Sequence, residues 1–333
     1  MTDRYEELAG RVGLSRFPRI VRLIEMMADA EEAELLLALP GEAGSLAARL
    51  GRDVASVDGM LKTLFVKGLA FPNLKSDPPA YRLVRDAVQF HDSSILWPEA
   101  PSAFLDLWQE FMEEDGYEVF KLVADRLPRP VMRVIPVGLT VPVESRILAF
   151  EDVRQAIEEA EIMAVTRCTC KVTARKCETT LECCLQLNNA ARYALARGTG
   201  RELNREEALA LMKRSEEEGL IHTVNNLKSM HTVICNCCPC CCQNFPGLVK
   251  YGIRTVDPSR FTARIDPDRC TGCGACLDRC YFGAIEMETD LAVVAEPDRC
   301  MGCGLCQVTC PAEAIDLIEV RPPDFIPDGF SAH

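Results

Sequence analysis

The sequence predicts an α+β chain in three parts: a helical domain over residues 1–126, a cysteine-rich domain over 131–250, and a small module of short strands and cysteine loops over 262–320. Three observations lead there. The first third carries helical hydrophobic periodicity and no cysteine; eleven cysteines crowd between Cys168 and Cys242; eight more fall in two copies of one spacing after Cys270. A chain of 333 residues also exceeds the roughly 250–300 residues at which single cores stop growing.

In the N-terminal part the pattern reads as a helix over 30–39, a helix over 45–50, a turn at Gly51-Arg52-Asp53, and a longer helix over 54–67 with Gly68 as its cap. Two short strands follow, ending in Tyr81-Arg82-Leu83. Leu46-Ala47-Ala48-Arg49-Leu50-Gly51, then Val57, Leu61 and Leu64, then Lys67-Gly68-Leu69-Ala70, resembles the core of bacterial winged helix-turn-helix regulators. The resemblance implies a fold and not a function. Reading DNA needs basic or amide side chains on the second helix, whereas this one offers Asp53, Ser56, Asp58, Gly59, Lys62 and Thr63. A docking or dimerisation module, and through it a homo-oligomer, is the expectation. Residues 97–118, with seven acids and no Lys or Arg between Phe104, Leu105, Leu107, Trp108, Phe111 and Met112, read as one acidic amphipathic helix. Leu127-Pro128-Arg129-Pro130 reads as a linker.

The C-terminal cysteines run Cys270-x2-Cys273-x2-Cys276-x3-Cys280 and Cys300-x2-Cys303-x2-Cys306-x3-Cys310-Pro311. A C-x2-C-x2-C run brings three thiolates together from one loop, the ligand pattern of a [4Fe–4S] cluster. The runs belong to a thirty-residue repeat: Asp266-Pro267-Asp268-Arg269 matches Glu296-Pro297-Asp298-Arg299, and Ala284-Ile285 matches Ala314-Ile315. Each half reads as a strand, a cluster loop with two glycines, a turn of helix around the fourth cysteine, and a second strand over 284–287 or 314–318. Residues 262–320 resemble the bacterial-type 2[4Fe–4S] ferredoxin family. The fourth cysteine of each run in that family ligates the other cluster. Cys270, Cys273, Cys276 and Cys310 are therefore expected at one cluster, and Cys300, Cys303, Cys306 and Cys280 at the second. Tyr281 stands where the other half has Pro311, a difference that lets the two potentials diverge.

The upstream cysteines are Cys168-x-Cys170, Cys177, Cys183-Cys184 and Cys235-x-Cys237-Cys238-Pro239-Cys240-Cys241-Cys242. Successive side chains on a strand point apart, so a doublet divides between two sites or leaves one thiol as packing. Cys168, Cys170, Cys177, Cys184, Cys235, Cys237, Cys238, Cys240 and Cys241 are candidate ligands. Two further clusters, one further cluster, and zinc or metal-free thiols remain open. His222 and His231 are weaker candidates. Between the groups a helix over 151–161, a capped helix from Asn204 to Gly219 and a strand over 220–224 form scaffold. Residues 130–245 resemble a region that precedes the ferredoxin module in multi-cluster iron–sulfur proteins of anaerobic bacteria. The doublets are similar to the cysteine-rich motif of heterodisulfide reductases, but neither spacing nor glycine matches.

Net charge is −13, which disfavours nucleic acid and anionic membranes and steers a partner with a basic patch. The first ten residues lack an apolar core of signal-peptide type, and no uncharged apolar run reaches roughly 18 residues. A reducing cytoplasm is expected. Gly198-Thr199-Gly200 has no phosphate-binding fingerprint around it, so any flavin or NAD belongs to another chain. The sequence thus points to an iron–sulfur electron-transfer protein, a subunit or docking partner of an anaerobic oxidoreductase. Two other classes compete: a cluster-dependent, redox-sensing winged-helix regulator, and a reductase with substrate at an upstream cluster with an open site.

Overall fold

Three helices and a three-stranded sheet succeed one another between Ala30 and Leu83 in the computed structural model, which describes residues 3–138, 152–228 and 232–329. The helices are Ala30–Ala38, Ala43–Leu50 and Val54–Lys67. Asp53 caps the third by accepting from the Ser56 N–H at 2.9 Å, and Gly68 ends it in the left-handed region at φ 87°. Strand Ala80–Leu83 lies between Gly41–Glu42 and Ala70–Pro72, antiparallel to both. The acidic stretch is not one helix. Its helix covers Ser102–Glu114, because Pro101 sets the entry and the chain breaks at Asp115 before a second helix, Gly116–Arg126. Phe104, Trp108 and Phe111 point inward at helical spacing, with Trp108 against Phe90 at 5.2 Å and its indole N–H donating to Ser94 Oγ at 3.1 Å.

The chain divides into two compact units. One holds residues up to Gly116 with Val172–Ala174 and Arg197–Thr199; the other holds the remainder, so apart from those two short segments 131–250 and 262–320 share one unit. The expected boundary at 127–130 falls inside it. The reason is local: Tyr117 and Phe120 of the helix Gly116–Arg126 pack on Tyr251, at 5.3 and 6.3 Å between rings. Arg129 is also pinned. Its guanidinium donates to Asp257 Oδ2 at 2.8 and 3.1 Å and to the Phe325 carbonyl, and it lies 4.5 Å over the Phe325 ring. The proline-rich stretch is therefore a strap, and the C-terminal tail packs against it, with Ile326 fully buried.

A seven-stranded sheet forms the frame of this second unit. Its order is Val256–Asp257, Met132–Val134, Ile221–Asn225, Val233–Cys237, Glu182–Leu187, Met163–Arg167 and Gly200–Leu203; only the first pair is parallel. The helix Arg205–Glu217 begins with the expected capping box, Asn204 and Glu207 each accepting from the other's N–H at 2.9 Å. Its Met212 reaches Asn236 on the sheet. The helix expected over 151–161 spans Val153–Glu159, ending where Ala160 turns extended; Glu151 and His231 lie outside the described residues. No described helix is long and apolar enough to cross a membrane.

In the C-terminal module, Phe261–Ile265 pairs with Ile315–Glu319, and Glu286–Glu288 pairs with Leu291–Val293, both antiparallel. The strands thus start one or two residues later than the pattern suggested. The helical turns, Ala275–Arg279 and Leu305–Val308, lie ahead of the fourth cysteine rather than around it. The left-handed glycines explain this. Gly274 and Gly304, at φ 74° and 77°, reverse the chain straight into each helix, which ends before Cys280 or Cys310.

Candidate metal centres

Two cavities lie inside the C-terminal module. The first is lined by Cys270, Cys273, Cys276 and Cys310, with Ile265, Ala292, Ala314 and Ile315 behind them. Cys280, Cys300, Cys303 and Cys306 line the second, with Tyr281, Phe282, Ile285 and Met301. Each cavity therefore meets three cysteines of one run and the fourth of the other, because the antiparallel strands lay the two halves head to tail. Backbone N–H groups aim at the sulfurs: Ala284 donates to Cys280 Sγ at 3.4 Å, Ala314 to Cys310 Sγ at 3.3 Å, and Ala263 to Cys300 Sγ at 3.4 Å. The first two are thirty-residue equivalents.

The donor set fits iron–sulfur chemistry. Burial pushes the Cys303 thiol up to about 12 and the Cys306 thiol well above its ordinary value, so a bound cation must supply the compensation that lets these sulfurs ionise. Only small residues fit the loops. Gly272 and Gly302 have φ of 69° and 63°, and a Cβ there would run into the Asp290 or Phe261 carbonyl oxygen. Gly302→Ala is expected to cost about 2 kcal/mol of stability through backbone strain, read as a lower denaturation midpoint; an unchanged midpoint would count against this loop geometry.

Upstream, the sheet sorts the cysteines. On Val233–Cys237, Cys235 and Cys237 face one side and Ile234 and Asn236 the other. A register shift opposite Thr166 and Arg167 leaves Cys183 as the extra residue of a bulge. The buried ammonium of Lys171 donates to its sulfur at 3.4 Å and to the Thr180 carbonyl at 2.8 Å. Cys184 accepts from Gln186 Nε2 at 3.1 Å and hydrogen-bonds Cys235, which raises the Cys235 thiol together with Cys237 and burial. Cys237 is held well below its ordinary value by hydrogen bonds with Cys235 and Cys242, against burial. Cys170 is raised by its bond to Cys168, by burial, and by the charges of Cys168, Cys242 and Cys237. Cys168, Cys170, Cys237 and Cys242 thus form one neighbourhood, with Cys184 and Cys235 beside it.

A second, tighter group comprises Cys177, Cys238, Cys240 and Cys241, whose four sulfurs all lie within 4.8 Å of one another. The Cys237-Cys238 and Cys241-Cys242 doublets divide between the two groups, the first where the strand Val233–Cys237 ends and the second at the end of the turn that follows. Cys240 and Cys241 do not divide, because they occupy a turn closed by the Cys242 N–H on the Cys238 carbonyl at 3.2 Å. Cys242 was absent from the expected ligand set; as the last of a run of three cysteines it carried no spacing signal of its own. Among the described residues, His222 is not part of the tight cysteine group. It is buried with its Nδ1 2.6 Å from Asn236 Oδ1 and its Nε2 3.3 Å from Glu216 Oε1, so both ring nitrogens serve the scaffold.

The two provinces meet in one apolar cluster. Cys242, Phe245, Phe282, Met301 and Leu305 are buried together, with Cys237, Tyr281 and Cys303 packed against them. Rings of Phe245, Tyr281 and Phe282 stand 5.4–5.7 Å apart. Tyr281, singled out in the repeat, lines the second cavity and packs in the same cluster as Cys237 and Cys242.

Comparison with curated proteins and with solved structures gives no match. Residues 263–317, which carry both cysteine-lined cavities, match the family model described as a 4Fe-4S dicluster domain.

Proposed function

We propose that this chain relays single electrons through a pair of [4Fe–4S] clusters to further iron–sulfur chemistry in the cysteine-rich region, as a subunit or docking partner of a larger oxidoreductase. The observation that carries it is the pair of four-cysteine cavities inside the dicluster match, one of which shares an apolar cluster with the upstream cysteines. Cys270, Cys273, Cys276 and Cys310 would hold one cluster, and Cys300, Cys303, Cys306 and Cys280 the other. When bound, the clusters supply the one-electron redox couple. The chain's own part is to supply thiolates, to aim N–H groups at three of the sulfurs, and to bury Cys300 and Cys306 from water. The dry aromatic wall of Phe245, Tyr281 and Phe282 favours passage from the second cluster toward Cys237 and Cys242.

The partner is a redox protein, flavin- or NAD-containing, with a basic face to complement a chain of net charge −13. The N-terminal unit serves as a protein-docking or dimerisation module. On the helix Val54–Lys67 its Lys62 is engaged with Asp58 at 2.7 Å, and Asp53 at the start of that helix adds a second acid, a combination that disfavours phosphates.

Iron and acid-labile sulfide of the full chain, purified without oxygen, test the reading. About eight of each are expected from the C-terminal module, plus about four for every upstream cluster, with paramagnetic signals after dithionite. A colourless, iron-free chain would end it.

A further inference from the structure

The upstream sulfurs are not equally spaced. Cys177 Sγ lies 3.6 Å from both Cys238 Sγ and Cys241 Sγ, and Cys241 Sγ lies 3.9 Å from Cys240 Sγ. A single zinc ion holds thiolates at about 2.3 Å, which makes the edge of its sulfur tetrahedron roughly 3.8 Å. The observed separations are of that size. A cubane attaches each thiolate to a different iron of the cage, so its ligand sulfurs stand farther apart than those around one ion. The same chain provides the comparison: among the described residues, Cys177, Cys238, Cys240 and Cys241 are the one group of three or more Cys, His, Asp or Glu whose ligand atoms all lie within 4.8 Å. Neither C-terminal quartet is so tight, and neither are Cys168, Cys170, Cys237 and Cys242.

We propose that Cys177, Cys238, Cys240 and Cys241 bind one zinc ion as a closed tetrathiolate site that ties the turn 238–241 to the loop carrying Cys177. Four protein ligands leave no open position, which is the arrangement of a structural and not a catalytic zinc. Other groups support the sulfurs: Thr179 Oγ1 lies 3.1 Å from Cys177 Sγ, and the Lys176 backbone N–H bonds Cys241. The ion would clamp residues some sixty positions apart in sequence and, through the adjacent Cys237, steady the neighbouring cysteine group. Binding exchanges thiol protons for the metal and involves no electron transfer. The contrast with the C-terminal quartets rests on reading those as cluster ligands; the sulfur separations stand by themselves.

The test is zinc, iron and sulfide analysis of the full chain, purified without oxygen, beside its Cys240→Ser variant. Zinc is expected to fall from about one per chain to roughly a tenth or less, with iron and sulfide unchanged. Loss of iron and sulfide together in the variant would overturn the proposal in favour of a cubane, and loss of iron without sulfide would overturn the choice of zinc. Should Cys240→Ser fail to fold, cobalt exchanged into the wild-type chain gives the same decision. The intense visible bands of a tetrahedral tetrathiolate are expected, and a pale octahedral spectrum would refute the site. A chain with one zinc and no iron would defeat the electron-transfer reading and leave this one standing.

Discussion

Cys306→Ala is expected to remove one cluster, lowering iron and acid-labile sulfide by about four each per chain and slowing reduction of any redox partner. Cys306 sits in the helix Leu305–Val308, is 7% exposed, and lines the second cavity with Cys280, Cys300 and Cys303. Alanine leaves three thiolates and an apolar gap. The companion variant Cys310→Ala decides between ligand arrangements. Cys310 lines the first cavity although it follows the second run, so the two variants should retain different clusters and give different paramagnetic spectra after dithionite. Identical spectra would mean that both had lost the same cluster, and the crossed arrangement would fall. Unchanged iron in Cys306→Ala would remove that residue from the ligand set altogether.

Asp257→Ala is expected to cost about 1–3 kcal/mol of stability, the range for leaving buried hydrogen-bond donors without their acceptor. The Asp257 side chain is fully buried; its Oδ2 accepts from Arg129 Nε and Nη2 and from Asn226 Nδ2 at 2.8–3.1 Å, and its Oδ1 lies 2.6 Å from Arg254 Nε. Its loss leaves the Asn226 amide under-satisfied inside the protein and releases the strap that Arg129 makes with Phe325. Chemical denaturation reads the loss, and a double-mutant cycle with Arg129→Ala isolates the pair. A change under about 1 kcal/mol would place the contact among surface ion pairs of little worth and return residues 127–130 to the status of a linker.

Local signals were legible where a residue acts through its own backbone or its near neighbours. Asp53, Gly68 and the Asn204–Glu207 box mark helix ends at their own positions, and these are the ends observed. Spacing likewise exposed the eight C-terminal cysteines, because three ligands converge from one short loop. The acidic stretch 97–118 misled for the converse reason: amphipathic periodicity continues through Pro101 and Asp115, while the chain path does not. Residues 127–130 read as a linker because X-Pro bonds oppose helix, and nothing in that tetrapeptide reports an aspartate 128 residues away that holds Arg129.

The amino-acid sequence by itself determined that the C-terminal module carries two equivalent sets of cysteines, since a thirty-residue repeat and a C-x2-C-x2-C-x3-C spacing are properties of the chain and need no fold to be counted. Only the tertiary structure decided how the upstream sulfurs group. Cys177 comes from a loop, Cys238 to Cys241 from a turn beyond a strand, and Cys168 and Cys170 from beyond the end of another strand, two places along the sheet. Their distances depend on strand register, a bulge at Cys183 and one tight turn, all set by packing between segments remote in sequence. A ligand set drawn from remote segments has no spacing to read; it exists only once the sheet has formed.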